Sequence, residues 1–80
     1  MDTLDVHVVW DEEAKVWYVA ESNIPGLAAE AATTEDMLSK LRTLIPELVA
    51  LNRHLLADHD DAELPVRLTT ERLERFHFAA

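Results

Sequence analysis

Cysteine is absent from these 80 residues, which excludes a disulfide framework and any thiolate metal site. Glycine occurs once and proline three times, so irregular backbone is expected to be scarce. No apolar run approaches the roughly 20 residues that a bilayer-spanning helix needs. The acidic start Met1-Asp2-Thr3-Leu4-Asp5 is the opposite of the basic region that opens a signal peptide, so the expected location is the cytoplasm. Basic residues are few as well: 7 Lys and Arg stand against 16 Asp and Glu, a formal charge of -9. Such a surface does not neutralise phosphates, so direct nucleic-acid binding is not expected and a basic partner suits the chain better.

The charge is unevenly spread. Residues 1–66 hold four Lys/Arg and fourteen Asp/Glu, or -10, whereas residues 67–80 hold three Arg and two Glu, or +1. With 49% apolar and 29% charged residues the composition is that of a globular protein, too apolar for intrinsic disorder. A chain of this length buries only about 60% of the surface of its unfolded form, which leaves room for one core. Small domains without disulfides or metals gain stability by association, so a homo-oligomer, most simply a dimer, is expected.

Leu4, Val6, Val8 and Trp10 alternate with Asp5, His7 and Val9, the period of a half-buried strand. Asp11 to Lys15 is short and polar, and Val16-Trp17-Tyr18-Val19-Ala20 favours a pleated surface, so the two runs read as a hairpin. Ser22-Asn23-Ile24-Pro25-Gly26 is a reversal: Pro presets φ at one corner and Gly accepts positive φ at the next. The following Leu27-Ala28-Ala29-Glu30-Ala31 is short and apolar, with an alanine content that by itself favours helix.

Thr33-Thr34-Glu35-Asp36 opens a helix, with Thr33 placed to cap and the acids at the positive end of the dipole. Met37, Leu38, Leu41, Leu44, Ile45, Leu48, Val49 and Leu51 then form one broad apolar stripe. Pro46 lies inside it, and either kinks the helix near Arg42 to Pro46 or begins a second one. After an acidic connector, Pro65-Val66-Arg67-Leu68 has the alternation of an edge strand. Residues 71–80 form a tail that fits either a short helix, from the spacing of Leu73 and Phe76, or a strand, from Phe76 and Phe78 around His77.

Three segments carry a resemblance: Trp10 to Ala20, then Ile24-Pro25-Gly26-Leu27, then Thr33-Thr34-Glu35-Asp36-Met37-Leu38. Together they resemble the HicB-like antitoxin family, over roughly two thirds of the chain. Ile45-Pro46-Glu47-Leu48 followed by Asn52 is similar to a short stand-alone branch of that family of unknown function. The resemblance implies an α+β fold of order β-β-β-α-β over residues 1–70: a small antiparallel sheet, with Leu27 to Glu30 as its third strand, packed on one main helix and often described as a partial RNase H fold. It also implies a binding role, in which such domains block a small basic HicA-type ribonuclease toxin by protein contact. Full-length members usually add a C-terminal DNA-binding module. Val66 to Leu73 resembles the start of a ribbon-helix-helix unit without its second helix, so operator binding is not expected here. The alternative function is an orphan homo-oligomeric domain, a scaffold or regulatory adaptor with no toxin.

Trp17 and Val19 point opposite to Val16, Tyr18 and Ala20, and neither set is polar. One helix covers one sheet face, so the other set needs a partner or the C-terminal segment as cover. Homodimerisation through the open face or by edge-strand pairing follows. The expected interface comprises Trp10, Asp11, Glu12, Glu13, Val16, Trp17, Tyr18, Phe76 and Phe78, with the acids facing a basic toxin where one exists. Trp10 and Trp17 fit a cross-strand pair better than a ligand pocket. His54, Asp58, His59, Asp60 and Asp61 are the one cluster of metal-capable side chains, but His54 and His59 are five apart and do not share a helical face. Glu12 with Glu13, and Glu35 with Asp36, lack a nucleophile or base nearby, and Asp5 and Glu21 are the sole acids that could face a nuclease-like site. No catalytic residue, cofactor or metal is therefore expected, and the chain reads as a non-enzyme.

Overall fold

The computed structural model describes residues 3–52 and 65–79. The elements follow in the order β1 (Leu4–Asp11), β2 (Val16–Ser22), β3 (Glu30–Ala31), α1 (Thr34–Leu51) and β4 (Val66–Glu71), an α+β fold of the expected β-β-β-α-β order. The sheet has four strands in the order β3-β2-β1-β4. β2 runs antiparallel to both β1 and β3, but β4 pairs parallel with β1. The sheet is thus mixed, not wholly antiparallel. The reason lies in the connection: β3 leads into a helix, and a helical crossover returns the chain so that the next strand runs the same way. α1 carries the chain from one edge of the sheet to the other.

The hairpin register contains a bulge. His7 pairs Glu21 but Val8 pairs Val19, which leaves Ala20 as the extra residue of β2. Paired residues share a face, so Val19 and Trp17 join Val8 and Trp10 on the helix side, while Glu21 joins His7 on the other. Without the extra residue strict alternation would direct Glu21 into the core. Beyond β2 the chain turns at Ile24-Pro25-Gly26-Leu27: the Leu27 N–H donates to the Ile24 carbonyl at 3.3 Å, and Gly26 has φ 80°. This is the turn that the Pro-Gly pair predicts. The third strand begins later than Leu27, being confined to Glu30–Ala31, with one further ladder-like bond from Val19 N–H to the Ala29 carbonyl.

α1 begins as expected, with the Thr33 hydroxyl accepting from Asp36 N–H at 3.0 Å. It runs unbroken through Pro46 to Leu51, which removes the two-helix alternative. Pro46 and Arg42, whose carbonyl loses its helical donor, are both exposed, so the freed carbonyl is not sealed away from water as it would be in the core. Asn52 closes the helix, its backbone and side-chain N–H groups both donating to the Leu48 carbonyl.

The core joins Leu4, Val6 and Val8 of β1 and Ile24 and Ala31 to Met37, Leu41 and Ile45 of α1. Every buried residue among those described is apolar. No described helix is long and apolar enough to cross a membrane. Residues 72–79 form neither helix nor strand. Met37 is almost wholly enclosed, so Met37→Ala is expected to cost about 2–5 kcal/mol, against about 1 kcal/mol for Thr33→Ala, which loses the cap alone. Urea unfolding followed by circular dichroism checks both values.

Candidate functional site

The nine residues expected at an interface fall into four groups, one of them the acids Asp11, Glu12 and Glu13 of the hairpin tip. Trp10 and Trp17 pair across the hairpin on the helix side, ring centroids 5.4 Å apart at 60°. Val16 and Tyr18 lie on the opposite, uncovered face, opposite Asp11 and Val9. Phe76 and Phe78 belong to the tail and are 87% and 83% exposed. The structure therefore brings the tryptophans together with the hairpin tip and leaves the phenylalanines apart from both.

The tip is held by its own acids. Asp11 accepts at Oδ1 from the backbone N–H of Glu13 and Ala14, and its carbonyl accepts from Lys15 N–H at 2.8 Å. Lys15 takes a left-handed φ of 59° to close the loop. Glu12 accepts from the Trp10 indole N–H and from Lys15 Nζ. Of the three tip acids, Glu13 alone is exposed with no hydrogen bond or ion pair to its carboxylate among the described residues.

The open face is more polar than the sequence suggests. Arg67 Nη1 lies 3.7 Å from Asp5 Oδ1, and His7 Nε2 bonds Glu71 Oε1 at 3.1 Å. Its apolar part is limited to Val9, Val16 and a Tyr18 that is 38% exposed. Asp5 and Glu21 do lie on this face, but Asp5 is taken up by Arg67. No described group of three His, Asp or Glu could hold a metal. The cluster of His54, Asp58, His59, Asp60 and Asp61 lies outside the described residues.

Two features were not anticipated. Arg72 stacks over the Trp10 ring, its guanidinium carbon 4.3 Å from the centroid, a cation–π contact that ties the root of the tail to the hairpin. An open apolar groove of about 420 Å³ runs between α1 and β4, walled by Leu38, Leu41, Ile45, Pro46, Val66 and Leu68. Leu38 and Val66 are 37% and 38% exposed there. The breadth of the helix stripe was the available signal, since it exceeds what one short sheet face covers.

The Glu12 carboxyl is held below the ordinary glutamate range, first by the Lys15 hydrogen bond and next by the Trp10 indole. Because the shift is downward, the contribution of these bonds to stability is present above the ordinary glutamate value and lost as pH falls through the lowered one. An NMR titration is expected to show Glu12 titrating below the ordinary glutamate value, and both Lys15→Ala and Trp10→Phe to move it up, Lys15→Ala by more.

No curated protein is significantly similar to this chain. A solved structure is: a hypothetical protein from the extremely thermophilic bacterium Thermus thermophilus is 44% identical, with a TM-score of 0.63 over 95% of this chain and 99% of that one. The family described as "Domain of unknown function (DUF1902)" matches residues 3–80. A solved relative of similar length and fold and a family match over nearly every residue lead to one assignment: the chain belongs to the DUF1902 family.

Proposed function

We propose that this domain is a HicB-like binding module that works by protein contact and carries out no chemistry of its own. The observation that carries the reading is exposed apolar surface beside an open sheet edge: Leu73, Phe76 and Phe78 are 73%, 87% and 83% exposed, and β4 has a neighbour on one side alone among the described strands. Surface of this kind marks a contact site for another macromolecule.

The partner that best suits the charge of -9 is a small basic protein of the HicA toxin type. Glu13 at the hairpin tip, its carboxylate not engaged by any described residue, is the acid best placed to steer it. Electrostatic steering acts on the association rate more than on the final affinity. The second reading, a homo-oligomeric adaptor without a toxin, is favoured by the same open edge, which a copy of the chain pairs as readily as a foreign strand.

Co-expression with a short basic HicA-like protein encoded in the neighbouring reading frame tests the first reading. The two are expected to copurify at low salt and to lose association rate at about 1 M salt, where the screening length falls to roughly 3 Å. Glu13→Lys is expected to slow association about tenfold. A chain that leaves the toxin's RNA cleavage undiminished when present in excess would refute it.

A further inference from the structure

The geometry points to a self-complementary tail: residues 67–79 of one copy pair antiparallel with the same residues of a second copy across a two-fold axis at Leu73, extending both sheets through β4 and laying Phe76 and Phe78 along the partner's helix-side face. This deepens the homo-oligomer reading and does not rest on the toxin reading.

Both halves of the contact lack strand partners among the described residues of the single chain. β4 is hydrogen-bonded to β1 on one side and to no described strand on the other, so no described strand takes up its outward N–H and C=O groups. Residues 72–79 form neither helix nor strand and make no backbone–backbone bond among the described residues. Folding the tail back onto its own β4 would require a reversal, yet residues 70–80 contain no Gly, Pro, Asn or Asp, the residues that tight hairpins use. Arg72 on Trp10 directs the root of the tail along the end of β1. A second copy removes the need for a turn.

The charge order selects the register. Glu71-Arg72-Leu73-Glu74-Arg75 reads as its own complement about Leu73: Glu71 comes opposite Arg75 of the other copy, and Arg72 opposite Glu74. Moving the axis to Arg72 would set Arg72 against itself, and moving it to Glu71 would set Glu71 against itself. Opposite charges in directly facing positions stabilise an antiparallel pair and like charges oppose it. Arg72 and Glu74 already bond within one chain and exchange that partner for its equivalent in the other copy. An isologous contact of this sort closes at two copies.

Side-chain alternation then agrees without adjustment. Val66, Leu68 and Thr70 pair with Leu4, Val6 and Val8, so the even-numbered residues of β4 face α1. In the register centred on Leu73, Phe78 faces Leu68 and Phe76 faces Thr70, both on that same side. The rings so placed border the groove walled by Leu41, Ile45, Val66 and Leu68. The tail, at +1, meets a body of -10.

The chain's freedom from cysteine makes the test direct. Facing residues of an antiparallel pair lie about 4.5 or 5.5 Å apart between Cα atoms, within the roughly 4.4–6.8 Å span of a disulfide. Leu73→Cys is therefore expected to give a covalent dimer on mild oxidation of the isolated chain, whereas Leu51→Cys at the exposed helix end is expected to remain largely monomeric. By sedimentation equilibrium, Arg75→Glu is expected to weaken the dimer about tenfold, since symmetry places two like-charge pairs at once. Adding Glu71→Arg to it is expected to restore the dimer, and Phe76→Ala with Phe78→Ala to yield a folded monomer. A parent chain that stays monomeric at high micromolar concentration, a Leu73→Cys chain that does not cross-link, or a dimer unmoved by Arg75→Glu would each overturn the inference, and none of these touches the toxin reading.

Discussion

Leu4, Val6 and Val8 of the central strand packed on Met37, Leu41 and Ile45 of the helix are the contact from which the other features follow. One helix buries one face of the sheet, so polar side chains must go to the other, and the bulge at Ala20 is the device that sends Glu21 there while keeping Val19 and Trp17 on the core. The open face then carries crossed pairs, Asp5 with Arg67 and His7 with Glu71, which are exposed and contribute little to stability. Their effect is to keep that face wet. Apart from Val9, Val16 and Tyr18 on that face and Leu51 at the helix end, the apolar surface left uncovered among the described residues gathers at the β4 edge and in the tail.

This distribution separates charge from contact. Two of the three acids at the hairpin tip are engaged in internal work, Asp11 closing the loop and Glu12 joining Trp10 to Lys15. In the proposed binding module, a field that steers a basic partner would come from the whole acidic body and from Glu13, whereas the exposed apolar area lies at β4 and beyond. Arg72 links the two regions, since it leaves the end of β4 and rests on Trp10. In the proposed dimer both hairpin tips flank the two-fold axis, so a partner drawn to the acids would meet two of them.

Much of the fold was legible in the chain because local chemistry determined it. The alternation of β1, the Pro25-Gly26 turn and the Thr33 cap each depend on a few neighbouring residues, and all appear where those residues place them. The surroundings of the candidate interface residues were less legible. Trp10 and Trp17 were recognisable as a cross-strand pair, but the polarity of the open face was not, because Arg67 and Glu71 reach it from a strand more than fifty residues away in sequence. The groove was hidden for the same reason: its two walls are joined through a segment whose length says nothing about direction.

The amino-acid sequence by itself determined the order of elements, the acidic body with its more basic aromatic tail, and the self-complementary run from Glu71 to Arg75. These are properties of composition, short-range periodicity and charge order, and need no knowledge of what lies alongside. The tertiary structure decided that β4 runs parallel to β1, that Ala20 is the residue left over in the hairpin, and that Pro46 stays inside one continuous helix. Each depends on which backbone groups meet across the sheet or face the solvent, and strand direction, register and exposure emerge when the chain has packed.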